Sequence, residues 1–237
     1  MVVRIRAHSK DRHLVSLRRK QIARRAAEIF VQKGYRLVNL RKLATACGMS
    51  VGNLYNYVGT KQDILYLVFD YVMSEVARFV EEICPTYDCF PATQALRMAI
   101  DTYYRTVDRL QDSVVFMYQE TKELRPDARK AVFEMERRLS EAFERILDRG
   151  CASGEFKTGG SPIIAQNIVV LGHMWAFRRW LLGSHYGYSL EDFVNEQTGF
   201  ILEAMRETRN ASASVRSMRQ SKRHAKMKQG SNREGKV

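Results

Sequence analysis

An all-α fold follows from three features of the sequence. Apolar residues recur at three- and four-residue steps along nearly the whole chain, no convincing alternating run suited to a strand occurs, and Gly and Pro punctuate the pattern at helix-length intervals. The first helix is predicted over 17–33, with Ile22, Ala26, Ile29 and Phe30 on one stripe and Gly34 as its left-handed end. A second, over 40–46, takes Asn39 as N-cap and buries Leu40, Leu43, Ala44 and the following Cys47. Gly48 then permits a sharp turn, Ser50 caps a third helix, and Leu54 with Val58 supply its buried face. Thr60 opens a long fourth helix, with Asp63 placed for an acidic capping box.

Pro85 and Pro91 bracket a break. Further helices are predicted at about 92–110, 112–124, 127–149, 162–182 and 189–209, with Arg125 before Pro126 and Gly150, Gly154, Gly159 and Gly160 marking loops, nine helices in all. From 210 onward the chain is rich in Ser, Lys, Arg and Gln with hardly an apolar residue. Such a tail cannot offset the entropy of ordering and is expected to be disordered.

Lys and Arg number 39 against 26 Asp and Glu, a formal charge of +13, and the excess sits at the ends. Residues 1–25 and 208–237 each carry net +8, which leaves the middle at −3. A basic head and tail around a mildly acidic body point to ends that meet phosphate, or merely solubilise, and a body with another task. The four cysteines, Cys47, Cys84, Cys89 and Cys151, fit neither zinc-ligand spacing nor a dense disulfide framework, so the chain reads as a reduced, intracellular protein. Its start is not a secretory signal, and the most apolar run, from Ile168, is too short to span a bilayer and contains His173; a cytoplasmic protein that avoids membranes is expected. No HExxH or phosphate-loop pattern occurs, which argues against an enzyme.

The short helices around Gly48, preceded by a basic helix, have the makings of a helix-turn-helix. Ala44 is small where the two helices cross, and Met49 and Leu54 fill the angle between them. Val51, Gly52, Asn53, Asn56 and Tyr57 are left to form a surface with hydrogen-bonding groups, little bulk and no acid, as an element entering the major groove of double-stranded DNA requires. Gly52 is a poor helix former, so its place inside a helix asks for a reason, and close approach to a DNA backbone is one. Lys61, in the first turn of the fourth helix, can hold a phosphate together with nearby free N–H groups.

The stretch LRKLATACGMSVGNLYNYVGTKQDIL, with the pair Gly34-Tyr35 ahead of it, resembles the DNA-binding signature of the TetR family of transcriptional regulators over about 17–66. The resemblance implies Arg41, Val51 and Asn53 near base edges, and Tyr55, Tyr57 and Lys61 on phosphates of an operator. Asn39 stands where the family usually has Thr or Ser, and Val58 where it usually has Phe. It further implies a layout of basic arm (1–16), DNA-binding domain (17–62), ligand-binding and dimerisation domain (63–209) and basic tail (210–237), a homodimer on an inverted repeat, and repression as the usual mode.

In the later helices the large flexible and aromatic groups, among them Tyr103, Met117, Tyr118, Phe133, Met174 and Trp175, suit a pocket for a greasy small-molecule effector. No cofactor is implied. The helix 162–182 is apolar nearly all round, which suggests burial against both a core and a partner. Arg178 and Arg179 in the run GHMWAFRRW need partners: either Glu120 or Glu123, or a carboxylate or phosphate of the ligand. A Trp and Arg helix at this position resembles family members that sense acyl-CoA thioesters. The alternatives are a regulator responding to planar cationic drugs and a redox sensor using Cys84 and Cys89.

Overall fold

The computed structural model describes residues 3, 5, 7, 11–157 and 162–206; Gly159, Gly160 and the tail from 210 lie outside them. Among the described residues the chain is helical throughout, as predicted, with nine α-helices: α1 (Arg12–Lys33), α2 (Leu40–Ala46), α3 (Val51–Tyr55), α4 (Lys61–Arg78), α5 (Ala92–Arg109), α6 (Gln111–Glu120), α7 (Pro126–Ala152), α8 (Pro162–Ser184) and α9 (Leu190–Arg206).

The ends of these helices follow their capping chemistry. α1 begins at Arg12, ahead of the predicted 17, because the Asp11 carboxylate accepts the N–H groups of His13 (2.9 Å) and Leu14 (3.0 Å). The extra turn brings Val15 into the core. Gly34, at φ 78°, ends α1 in a backbone region that a side chain disfavours, and Gly48, at φ 66°, makes the turn between α2 and α3. Asn39 and Ser50 cap α2 and α3, and Thr60 with Asp63 forms a complete capping box at the start of α4. α4 runs on beyond Arg78 through one π-helical turn (Phe79–Ile83) into a 3₁₀ segment (Cys84–Cys89), where Pro85 is tolerated at the first turn.

Two apolar cores result. The first gathers α1, α2, α3 and the front half of α4 around Ile22, Phe30, Leu43, Leu54, Ile64 and Phe69, and it extends onto Phe116, Met117, Leu124, Ala128 and Val132 of α6 and α7. Phe30 stacks on Phe116 with ring centroids 5.9 Å apart. The second core lies among the back of α4, α5, α7, α8 and α9, around Phe79, Leu96, Tyr103, Tyr104, Phe143, Ile168 and Phe193. Two polar groups inside it are paired: Tyr104 donates to the Ile168 carbonyl (2.9 Å) and the Trp175 indole to Asp108 (2.7 Å).

The start of α5 has no side-chain cap of its own. Glu155, from the loop after α7, supplies one by accepting the N–H groups of Ala92 (2.8 Å) and Thr93 (2.9 Å). These bonds hold its carboxyl at about 2, below the ordinary 4.5. A depressed carboxyl stabilises the fold above its unfolded value and loses that contribution as pH falls through its folded value. The stability gap between wild type and Glu155→Gln should therefore be constant above pH 4.5 and shrink between 4.5 and about 2. Urea titrations of both proteins across that range test this; a gap independent of pH would mean that the carboxylate is not the cap.

Candidate functional site

At one end of the molecule α2 and α3 cross at Ala44 and Leu54, both buried, and present one continuous outer face. Arg41, Gly52, Asn53, Tyr55 and Asn56 are exposed on or beside that face, and Val51 is half-buried. A Cβ placed on Gly52 would meet only the Ser50 hydroxyl, at 4.0 Å, so nothing within the chain requires a glycine there. Lys61 stands at the first turn of α4, its ammonium 4.2 Å above the Tyr35 ring and 3.4 Å from the Arg36 carbonyl.

Two expectations change. Tyr57, expected on the exposed surface, is buried in the first core, because the chain turns inward after Asn56 to bring both Tyr57 and Val58 under α1 and α4. Arg19, read as part of the basic head, faces inward, donating to the carbonyls of Tyr57 (2.9 Å) and Ile5 (3.0 Å). Burial accordingly lowers its pKa. Ile5 is thereby tied to α1, and Val3 is buried against the same core.

This end is tied to the body by ion pairs that the sequence did not reveal. Asp63, 3% exposed, accepts the N–H groups of Gly59 (3.2 Å) and Thr60 (2.9 Å) and meets the Arg125 guanidinium at 2.8 Å. Arg36 meets Glu123 at 2.6 Å. Both body partners flank the short turn from α6 into α7.

Between α4, α5, α6, α7 and α8 lies a cavity of about 430 Å³. Its walls are mainly Val72, Met73, Val76, Val107, Leu110, Val114, Met117, Leu139 and Val169, with Phe133 and Tyr118 at its open side. The polar groups lining it are Tyr103, Thr106, Tyr118, Thr121, Glu136, Gln166 and His173. His173 is held between two hydroxyls, Tyr103 at 2.7 Å from Nε2 and Tyr118 at 2.8 Å from Nδ1, and burial lowers its pKa to about 4. Desolvation also raises the Glu136 carboxyl.

Of the side chains expected to meet a ligand, Tyr103, Met117, Tyr118 and Phe133 line the cavity. Met174, Trp175, Arg178 and Arg179 do not. Trp175 is turned into the second core, since its indole N–H finds Asp108 on α5. Arg178 and Arg179 are exposed near the end of α8, where Arg179 pairs with Asp112 of α6 (2.8 Å); Glu123, expected as a partner, is taken by Arg36. The wall residues that the sequence missed, such as Val72, Thr106 and Val169, carry no pattern distinguishing a cavity wall from ordinary core.

Cys47 and Cys84 are buried, and burial pushes both thiols upward, away from reactivity; Cys89 and Cys151 are exposed. Along α8 and α9, Ile163, Val170, Trp180 and Phe200 are 47 to 71% exposed, leaving a large apolar surface uncovered. No helix among the described residues is long and apolar enough to cross a membrane.

Comparison with known proteins matches residues 22–66 to the bacterial regulatory proteins of the tetR family, and residues 90–181 to the tetracyclin repressor-like C-terminal domain. The chain is 30% identical over 198 residues to the HTH-type transcriptional regulator HbdR of Aromatoleum sp. (strain CIB), covering 81% of this chain and 82% of that protein. Its fold resembles a bacterial regulatory protein in the tetR family from Rhodococcus RHA1 (TM-score 0.70, 22% identity, 81% of this chain and 98% of that one). It also resembles the transcriptional regulator FadR from Bacillus subtilis, solved in complex with stearoyl-CoA (TM-score 0.60, 22% identity, 78% and 96%).

Proposed function

Because the chain belongs to the TetR family of bacterial transcriptional regulators, we propose that it is a homodimeric repressor that grips a palindromic operator through α2 and α3 and is released by an acyl-CoA whose acyl chain fills the α4–α8 cavity. The observation that carries the DNA-binding half is the outer face of α3. It is free of acids, offers the amides of Asn53 and Asn56, and keeps a glycine at position 52 where the fold itself has room for a side chain. Val51, Asn53 and Arg41 read base edges in this proposal, while Tyr55 and Lys61 hold phosphates. Tyr57 supports the face from beneath. The uncovered apolar side chains of α8 and α9 supply the dimer contact, which sets two recognition helices roughly 34 to 36 Å apart.

The effector half rests on the cavity. Its apolar walls suit an acyl chain, and the FadR complex with stearoyl-CoA supplies a precedent on this fold. With no arginine or lysine among the lining residues, the charged coenzyme portion stays outside. α6 is the coupling element: Val114, Met117 and Tyr118 line the cavity, and Phe116 between them stacks on Phe30 of α1. A ligand releases DNA only as far as it prefers the non-binding arrangement of the two heads.

Footprinting on DNA flanking the gene, repeated with acyl-CoAs of graded length, tests both halves. Lys61→Ala should weaken all sequences alike and flatten the salt slope by about one unit, whereas Asn53→Ala should change base preference. Unchanged binding by both variants would put the recognition surface elsewhere, and a footprint indifferent to every acyl-CoA would remove that ligand class.

A further inference from the structure

The polar groups of the cavity are arranged more narrowly than an acyl chain alone requires. The His173 imidazole is engaged at both nitrogens, by Tyr103 (2.7 Å) and Tyr118 (2.8 Å). A neutral imidazole has one N–H and one bare nitrogen, so one tyrosine donates its proton to the ring while the other receives the ring's proton. The second tyrosine keeps its own O–H. Among the described residues neither hydroxyl has another hydrogen-bond partner. Whichever tautomer is present, then, one O–H donor at the cavity wall has no protein acceptor, either that of Tyr103, which is buried, or that of Tyr118, which is 52% exposed at the cavity mouth.

The charges point the same way. No lysine or arginine lines the cavity, and the imidazole is held neutral by burial, with its pKa lowered to about 4. The one carboxyl in the lining, Glu136, sits on an exposed stretch of α7, where desolvation raises its pKa. An anion carried in would find no counter-charge and would face that carboxyl. A cation would find one carboxyl, Glu136, at the solvent-touched edge of the lining.

Resting on the cavity as the effector site, we propose that His173, Tyr103 and Tyr118 form the recognition point for a single uncharged oxygen of the ligand, a hydroxyl or a carbonyl, and that the cavity rejects a ligand whose buried end is ionised. The tyrosine with the spare proton donates to that oxygen. His173 fixes the direction of both hydroxyls.

Titration calorimetry on the full-length protein at pH 7.5, with four probes sharing a ten-carbon chain, tests this. 1-Decanol and 2-decanone should each bind at least about tenfold more tightly than decanoate or decylammonium, since an ionised end must be desolvated without a partner. Tyr103→Phe and Tyr118→Phe, made separately, keep the ring and remove the hydroxyl. At least one should weaken 1-decanol by about five- to tenfold, the loss of one net hydrogen bond, with the thermal midpoint of Tyr118→Phe unchanged because that ring is 52% exposed. Decanoate binding as tightly as decanol would overturn the proposal in favour of an anion site. Decylammonium binding most tightly would overturn it in favour of Glu136 as a counter-ion, and unaltered decanol affinity in both variants would show that the oxygen is not read there. Failure of all four probes to bind would instead sink the effector-site reading on which the proposal rests.

Discussion

Asp63→Ala is expected to lower the unfolding free energy by about 3 kcal/mol, the lower end of what breaking a buried ion pair costs, because Arg125 retains 30% side-chain exposure and can recover some hydration. Two losses coincide at this residue. The Arg125 guanidinium is left without its 2.8 Å partner, and the N–H groups of Gly59 and Thr60 lose their acceptor, the second of these bonds being the acidic half of the α4 capping box. In a chain of this size about 3 kcal/mol corresponds to a fall of roughly 6 to 12 °C in the thermal midpoint. Arg125→Met, which leaves Asp63 its two backbone N–H donors and the capping box of α4 intact, should cost less. Thermal and urea unfolding of both variants decide the matter: if Asp63→Ala loses under about 1 kcal/mol, the contact is no stronger than a surface ion pair.

Gly172→Leu should be at least as damaging to the body. A Cβ at this position of α8 would lie 2.7 Å from two carbons of the Tyr104 ring and 3.4 Å from Tyr103. Tyr104 cannot give way: it is fully buried, and its hydroxyl is tied to the Ile168 carbonyl. Overpacking of this kind costs about 1–3 kcal/mol, and a branched side chain falls at or beyond the upper end. Gly172→Ala is the graded control, since about 1 kcal/mol of improved helix propensity offsets part of its clash. Because Tyr103 lines the cavity, Gly172→Leu should also abolish decanol binding, while α2 and α3, which share no contact with Gly172, keep their arrangement. Circular dichroism melts with parallel calorimetry measure both effects, and a variant that melts like wild type would mean that α8 and α5 are more loosely packed than these distances imply.

The helix layout was legible because it depends on local chemistry. Asn39, Ser50, Thr60 and Asp63 act within one turn of where they stand, and the glycines at 34 and 48 take the positive φ their sequence positions suggested. The outer face of α3 was legible for the same reason, a short helix between a glycine turn and a cap. Side-chain direction over longer spans was not. Arg178 and Arg179 looked buried because their neighbours are apolar, but those neighbours, Phe177 and Trp180, are themselves 38% and 61% exposed. A monomer's uncovered face and a cavity wall read alike in one sequence. Asp63 was legible as a cap but not as the partner of Arg125, 62 residues away, and His173 was visible as a polar group needing company without any sign that two tyrosines from α5 and α6 provide it.

The stacking of Phe30 on Phe116 bears on how such a regulator can be rebuilt. The recognition end does not close its own core; Phe116, Met117, Leu124, Ala128 and Val132 of α6 and α7 complete it. A recombination joint drawn just after α3 would hand a new head an alien floor, so exchanging operator specificity between regulators by cutting and pasting the head alone is a poor evolutionary route. Under the proposed operator reading, change confined to the exposed positions of α2 and α3 leaves that floor untouched, so operator choice can shift by point substitution while head and body stay together.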